Sequence, residues 1–363
     1  MSETIARQTE TPSVASIIAQ RLRPLVQRID VEGYYPAEIL RDLGDAGAFA
    51  QHTTLLGEGP AGILAAIEAM TEVGASCLST AFCMWCQDAV VWYIDRSENP
   101  APRAKYLQAV ATGRALGGTG LSNPMKALAG FEPLALKGTR VAGGYRVTGR
   151  LPFASNIESG HLFASIFAVE RVANRYAMAV FKVGEDGVDR AHNAHFVALE
   201  GTATCSVLIR NAFVPDDNVL SDDAGRFTAR IRKGFVLLQA GMALGIARGA
   251  ARLMRQDGPT RRFAEHLPFG PDSIEARTSE LTARLIDHLR SVEETDRSSF
   301  LEVLRTRLDM TWLALEAAQA AVLQFGARGY LLGAEPARRL REAQFVAIVT
   351  PSVKHITSEL AKG

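Results

Sequence analysis

The chain has 363 residues, 47% of them hydrophobic and 22% charged, with a net charge of +1. This is the composition expected of a soluble globular protein with room for two or three packed units. A charge so close to zero gives no electrostatic case for binding nucleic acid or an anionic membrane.

The opening segment, Met1 to Pro12, is polar and lacks the apolar core of a signal peptide. The longest apolar run, Phe235 to Ala247, is too short to span a bilayer and contains Gln239. The expectation is a cytoplasmic protein with no membrane partner. From Ser13 to Gly113 the pattern is helical. Val14, Ile17, Ile18, Leu22, Leu25, Val26 and Ile29 recur at helical spacing. Tyr35-Pro36 opens a second helix whose inner face is Ile39, Leu40 and Leu43. Further helices are predicted over Pro60–Gly74, Cys77–Asp95 and Ala101–Thr112. Cys83 and Cys86 make a C-x-x-C on the fourth of these. With no second ligand pair for zinc and no strand before the helix, they read as small buried side chains.

From Ala115 to Leu220 short strand-like runs alternate with turn residues. Strands are predicted near Phe131–Lys137, Tyr145–Pro152, His161–Glu170, Tyr176–Val183, His195–Glu200 and Thr204–Val214. A small all-β barrel or sandwich follows from their number and length. One string stands out, "GGYRVTGRLPFASNIESG" over 143–160. It climbs out of a Gly-Gly turn and stops on a ring, a hydroxyl and an amide, where something flat and hydrogen-bonding can sit. From Arg226 onward long helices return, over Phe227–Gln256, Asp272–Val292, Ser298–Gln324 and Pro336–Lys362. Gly241, Gly245 and Gly249 line one face of the first. Glycine inside a helix costs about 1 kcal/mol against alanine, so the stripe predicts close approach of another helix. The long helices predict an antiparallel four-helix bundle.

Several motifs are absent. There is no P-loop and no G-x-S-x-G. Gly118-Thr119-Gly120 lacks the third glycine of a dinucleotide fingerprint and runs into Pro124, where no helix is expected. His192 and His195 form a lone H-x-x-H, expected at the surface and not on a metal.

The order of helical block, β block and long-helix block, together with several strings, resembles the acyl-CoA dehydrogenase family of flavoproteins. The strings are "YYPAEILRDLGDAGAF", "KYLQAVATGRALGGTGLSNP", "GYRVTGRLPFASN", "TATCSVLIRNAFVPDDNVL" and "QFGARGYLLGAEPARRLREA". The resemblance implies a multi-domain α+β fold. Residues 1–114 would form an N-terminal all-α domain, 115–220 a central β-barrel or sandwich domain, and 221–363 a C-terminal four-helix bundle. It implies FAD, with FMN or reduced flavin as the alternative, and a homo-oligomer, dimer or tetramer. It implies a small-molecule substrate, an acyl-CoA among the candidates. By position in the motifs, Phe153 would lie against the flavin ring, Ser155 near its N5 edge, and Leu121 and Ser122 at its pyrimidine edge. Phe269, in His266-Leu-Pro-Phe269-Gly270, and Gly326, in Gly326-Ala327, fall on strings that hold the adenosine half. There the family's arginine is His266 and its second glycine is Ala327. Ser352 follows the late "tyr-glu-gly-thr" position as a further flavin contact.

That last string carries the family's usual base, a glutamate beside the substrate's α-carbon. Here it reads Ile348-Val349-Thr350-Pro351-Ser352, so Thr350 stands at the glutamate position and no catalytic residue is identified. The alternative location in some members, near Phe235, has no carboxylate either. Glu132, Asp95 and Glu200 are unplaced candidates. The loop after Pro124, "MKALAG", also departs from the family's "gly-ser-asp". Three activities follow as expectations. The first is dehydrogenation of an acyl thioester with a relocated base. The second is the monooxygenase chemistry of relatives whose strand ends in "phe-ala-ser", to which "GRLPFASN" is similar. These need no α-proton base but commonly use a histidine on the late helix, where "REAQFVAIVT" has none and His355 lies beyond. The third is a degenerate member that only binds a flavin or an acyl ligand.

Overall fold

The computed structural model describes residues 12–56, 59–191, 194–257 and 264–363. The helices predicted in the first block are present. The first is interrupted. α1 (Val14–Ile17) passes through a π turn and a 3-10 turn before α2 (Val26–Val31). Pro24 sits in that 3-10 turn, and a proline cannot donate the bond a continuous helix needs. α3 (Ala37–Asp45) buries Ile39, Leu40 and Leu43 as its pattern requires. α4 (Pro60–Gly74), α5 (Leu78–Asp95) and α6 (Pro100–Ala111) follow. Every residue of α5 is buried, Cys83 and Cys86 included. Both thiols are free, and burial pushes each well above its ordinary pKa.

The central strands are β1 (Gly117–Thr119), β2 (Leu136–Val141), β3 (Gly144–Ala154), β4 (Leu162–Val169), β5 (Tyr176–Lys182), β6 (Val188–Ala191), β7 (Cys205–Pro215) and β8 (Val219–Ser221). They form one sheet in the order β6-β7-β3-β2-β4-β5-β8, with β1 beside β4. Alternation along the strands serves two cores. On β5, Ala177, Ala179 and Phe181 belong to a core made by the β region alone, while Met178 and Val180 pack into the helical core.

Three expectations are corrected here. The strand predicted near Phe131–Lys137 starts only at Leu136, as β2, and 131–135 are not strand. Ahead of it, where no helix is expected, α7 (Ser122–Leu128) forms, and Asn123 and Lys126 on it bind Glu132. Pro124 does not forbid this helix, because the amides of a first turn have no intrahelical partner to lose. Residues 195–199 are not a strand either. They make a loop whose turn is held by Glu200, which accepts from the amide of Phe196.

The last block holds α8 (Ala224–Leu238), α9 (Ala240–Gln256), α10 (Pro271–Leu289), α11 (Arg297–Phe325), α12 (Glu335–Ile348) and α13 (Val353–Ala361). The helix expected over 336–362 is therefore two helices, broken at Pro351. α8 and α9 follow one another as a 33-residue span long and apolar enough to cross a membrane by length and composition, longer than the apolar run suggested. Its apolar window is 94% buried inside the protein, as in a core helix. α9 packs between α4 and α11. A Cβ on Gly241 would stand 2.8 Å from the Met70 side chain, and one on Gly245 2.8 Å from the Gly74 backbone. Gly241 and Gly245 seat α4, while Gly249 leaves room for the Arg339 side chain of α12.

Candidate active site

The corner at the end of β3 is fixed by Asn156. This residue is fully buried and takes a positive φ of 61°, a conformation asparagine tolerates better than most. Its side chain accepts from the Tyr35 hydroxyl at 2.6 Å and donates to the Gly117 carbonyl at 2.6 Å. The amide of "FASN" is thus used inside the protein. Gly118 completes the corner, since a Cβ there would meet the Ser155 carbonyl oxygen at 2.1 Å. The glycines of Gly117-Gly118 serve this close approach of two backbones.

With Asn156 held, Phe153 and Ser155 face outward onto a cavity of about 510 Å³. The Phe153 ring is 54% exposed and meets Phe196 edge-on at 6.1 Å. The opposite wall comes from α5, α8 and α12. Phe82 stacks on Trp85 at 5.7 Å and meets Phe345 edge-on at 4.5 Å. Trp85 meets Phe235 at 5.1 Å and donates its indole N–H to the Phe235 carbonyl. Hydroxyls supply most of the polar lining. Ser155 Oγ lies 2.7 Å from Thr204 Oγ1, and Thr204 Oγ1 lies 2.7 Å from Thr202 Oγ1. Thr202 donates to the Leu199 carbonyl at 2.7 Å. Across the cavity Ser122 Oγ is 3.0 Å from Thr350 Oγ1. Arg341 lines the cavity as well, paired with Asp30 at 2.6 Å and bonded to the Val197 carbonyl.

Behind Thr350 stands a buried column. Gln239, in the break between α8 and α9, donates to the Thr350 carbonyl at 2.8 Å and accepts from Arg307 at 3.0 Å. Arg307 also donates to Thr311 and to the Val346 carbonyl. It is wholly buried without a carboxylate among these partners, and burial lowers its pKa to about 10.

Among the seven residues the resemblance singled out for a flavin, Ser122, Phe153 and Ser155 line this cavity. Leu121 is buried directly before Ser122, its amide bonded to Thr119. Ser352 caps α13 by accepting from the His355 amide. Phe269 packs beside the Arg277 guanidinium, and Gly326 ends α11 with a φ of 56°. Neither of these two lines the cavity. Thr350 and Phe235, the two positions where a carboxylate base was sought, both do. The unplaced carboxylates stand elsewhere. Glu132 is bound to α7, Asp95 to Thr54 and the neighbouring arginines, and Glu200 to the 195–196 turn. His355 packs on Phe131 at 4.8 Å, outside the cavity. His195 is at the surface beside Glu200, and His192 lies outside the described residues.

Apart from the Phe235 position, nothing in the sequence singles out the aromatic wall. Phe82, Trp85 and Cys86 share one face of α5 at i, i+3 and i+4, but a helix buried all round shows no stripe to read. Thr202 and Thr204 carried no signal beyond ordinary strand polarity.

A flat ring system with one hydrogen-bonding edge needs an apolar slot and a few placed polar groups. The cavity has both, so the residues present suit a flavin ring. Residues 8–114 match the family described as acyl-CoA dehydrogenase, N-terminal domain. Among curated proteins, the mitochondrial 2-methylacyl-CoA dehydrogenase of Solanum tuberosum is 24% identical over 243 residues, 64% of this chain and 56% of that protein. The mitochondrial isovaleryl-CoA dehydrogenase of Arabidopsis thaliana is 24% identical over 242 residues, again 56% of its length. The chain therefore matches little more than half of these relatives. Among solved structures, butyryl-CoA dehydrogenase from Megasphaera elsdenii superposes with a TM-score of 0.83 at 17% identity, covering 100% of this chain and 99% of that one. KijD3, solved with FMN and a dTDP-linked amino-keto sugar, superposes with a TM-score of 0.78 at 19% identity, covering 96% and 91%.

Proposed function

We propose that this chain, whose residues 8–114 match the acyl-CoA dehydrogenase N-terminal domain, is a flavin-dependent oxidoreductase that uses reduced flavin and dioxygen on an apolar substrate. The supporting observation is the lining of the cavity. Among the described residues no aspartate, glutamate or histidine contributes to it. Dehydrogenation beside a thioester carbonyl needs a base at the α-carbon. Threonine and phenylalanine fill the two positions where that base was sought, and neither accepts a proton near neutral pH. Oxygen transfer does not ask for one.

Reduced flavin, when bound, supplies two electrons and two protons, so that one atom of dioxygen enters the substrate and the other leaves as water. The protein's part is to position and to exclude. Phe153 offers a flat exposed contact for the ring. Ser122, Ser155 and Thr350 offer hydroxyls along its polar edge. Phe82, Trp85, Phe235 and Phe345 give the substrate an apolar wall and keep water from the reacting atoms. Phe269 and Gly326, which do not line the cavity of their own chain, suit this reading as contacts to the flavin of a neighbouring copy in a homo-oligomer.

A second reading, dehydrogenation of an acyl thioester, is favoured by the curated relatives, whose names are those of acyl-CoA dehydrogenases. One experiment separates the two. Purified protein is loaded with FAD or FMN and mixed with a panel of acyl-CoAs without oxygen. It is then supplied with reduced flavin and dioxygen. Oxygen consumption with no bleaching by any thioester is expected. Bleaching by one acyl-CoA would overturn the proposal in favour of the dehydrogenase. Failure to take up either flavin at micromolar concentration would leave a degenerate family member.

A further inference from the structure

We infer that Arg341 reads a carboxylate on the substrate, which is therefore an otherwise apolar monocarboxylic acid held with its anionic end at the mouth of the cavity. This rests on the reading of the cavity as the substrate site of a flavin enzyme, and adds the chemistry of what enters it.

A guanidinium carries five N–H groups in one plane, with an end edge shared by its two terminal nitrogens and a side edge shared by Nε and Nη2. The end edge of Arg341 is occupied. Nη1 donates to Asp30 Oδ1 at 3.0 Å, and Nη2 to Asp30 Oδ2 at 2.6 Å. The second hydrogen of Nη1 goes to the Val197 carbonyl at 2.7 Å. The two hydrogens left, one on Nε and one on Nη2, run parallel and have no acceptor among the described residues. The Arg341 side chain is 34% exposed and lines the cavity, whereas Asp30 is 6% exposed and does not. The edge turned to Asp30 is thus turned into the protein, and the side edge is left to the cavity. A carboxylate fits that edge with both oxygens at once.

The surroundings narrow the class. Among the described residues Arg341 is the only charged side chain in the lining, so no acidic neighbour in the cavity repels an anion. Arg341 shares the rim with Val197 and Ile348, both mostly exposed, while the rings of Phe82, Trp85 and Phe235 are buried at the far wall. An acid therefore enters with its apolar body toward the rings and its carboxylate on the fork. A ligand without an anionic or carbonyl oxygen there would leave two donors unmet once water is displaced. A second charge would fall against the apolar wall, where nothing pairs with it.

The experiment compares acids with their own amides. Hexanoate, octanoate, phenylbutanoate and indolebutyrate, each beside its primary amide, are titrated by calorimetry into the purified protein with and without FMN. At least one acid should bind about tenfold more tightly than its amide, since the pair share a shape and differ in the charge offered to the fork. Arg341→Lys keeps a cation beside Asp30 but loses the fork. It should weaken the acid about tenfold and leave the amide within about twofold. A residue that only held the 195–199 loop in place would move both ligands together. Should the lysine variant unfold, the ratio in the parent protein decides, because no other described lining residue is charged. No acid of the panel outbinding its amide would overturn the inference, and so would a variant in which acid and amide weaken alike. Loss of FMN affinity in Arg341→Lys with riboflavin unaffected would give the fork to the cofactor's phosphate and overturn it as well. Flavin uptake is read separately. FMN bound with no acid preference removes this inference alone, and acid preference with no flavin uptake removes the flavin reading alone.

Discussion

Ser122 and Thr350 meet hydroxyl to hydroxyl at 3.0 Å, although 228 residues separate them in the chain. Ser122 opens α7 and Thr350 lies just past the end of α12, so the contact ties the two sides of the cavity. The Thr350 backbone is held in turn through Gln239 by a buried arginine. The position that the resemblance assigns to a base is here part of a brace.

That brace has a measurable size. A partly buried bond between neutral hydroxyls contributes about 1 kcal/mol. Thr350→Val and Ser122→Ala should each lower stability by about that amount. The double variant should lose less than the sum, because both single changes break the same bond. Urea midpoints of the four proteins give the coupling directly. Additive losses would show that the two hydroxyls act apart.

Asn156 should be far less tolerant. Alanine there loses both amide bonds and must still hold the left-handed backbone, so Asn156→Ala should cost about 4 kcal/mol. Asn156→Gly loses the bonds but not the conformation and should recover about 1 kcal/mol of that. Thermal unfolding of the two variants checks the difference. A glycine variant no more stable than the alanine one would mean that strain plays no part.

This corner also shows what the sequence could disclose. Period and punctuation carried the long elements. The apolar spacing of α3, the proline and glycine ends of α4 and the Gly-Gly turn before β3 all place their elements within a residue or two. The two missed breaks, at Pro24 and Pro351, lie in strong helical patterns that outweighed a single proline. α7 was missed for the opposite reason, since Pro124 was read as a breaker where it is tolerated. Apart from Ser122 and the Thr350 and Phe235 positions, which the resemblance supplied, the site was legible along its β edge. Phe153 and Ser155 lie two residues apart at the end of the strand, with Ala154 between them. The wall opposite is brought together from Phe82, Trp85, Phe235 and Phe345, four positions whose apolar character serves the core equally well. No local pattern distinguishes a core aromatic from one that lines a cavity.

A carboxylate should be recoverable by design. Thr350→Glu puts an acid among cavity-lining residues that otherwise have none among those described. Its apolar surroundings should raise its pKa from the ordinary range toward neutrality, where a general base works well. The variant loaded with FAD should be bleached by an acyl-CoA without oxygen, while the parent is not. If the variant keeps its flavin and remains oxidised with butyryl-, isovaleryl- and octanoyl-CoA, position 350 does not face a thioester substrate.

The last prediction concerns pH. His52 and Asp88 are both fully buried, with Nδ1 3.7 Å from the carboxylate. His52 Nε2 lies 3.2 Å from the Asp88 carbonyl and serves as its donor, so Nδ1 faces the side chain as an acceptor. Burial lowers the His52 pKa to about 3 and raises that of Asp88 well above its ordinary 3.8. The signs oppose. The histidine's contribution is complete above pH 6.5 and is lost as pH falls toward 3. The aspartic acid's penalty is absent below 3.8 and grows as pH rises above it. Over whatever part of the range from 3.8 to 6.5 the folded Asp88 keeps its proton, the folded pair and the unfolded chain each bind one, so the pair adds little pH dependence there. Above 6.5 the parent loses stability for as long as Asp88 holds its proton. Asp88→Asn removes the compensation. The variant should then lose about 1.4 kcal/mol per pH unit on acidification below 6.5, approaching 3 kcal/mol at pH 4.5. Urea midpoints of both proteins at pH 7.5, 6.0 and 4.5 test this. Parallel curves over that range would mean that Asp88 does not carry the proton that offsets His52 in the folded protein.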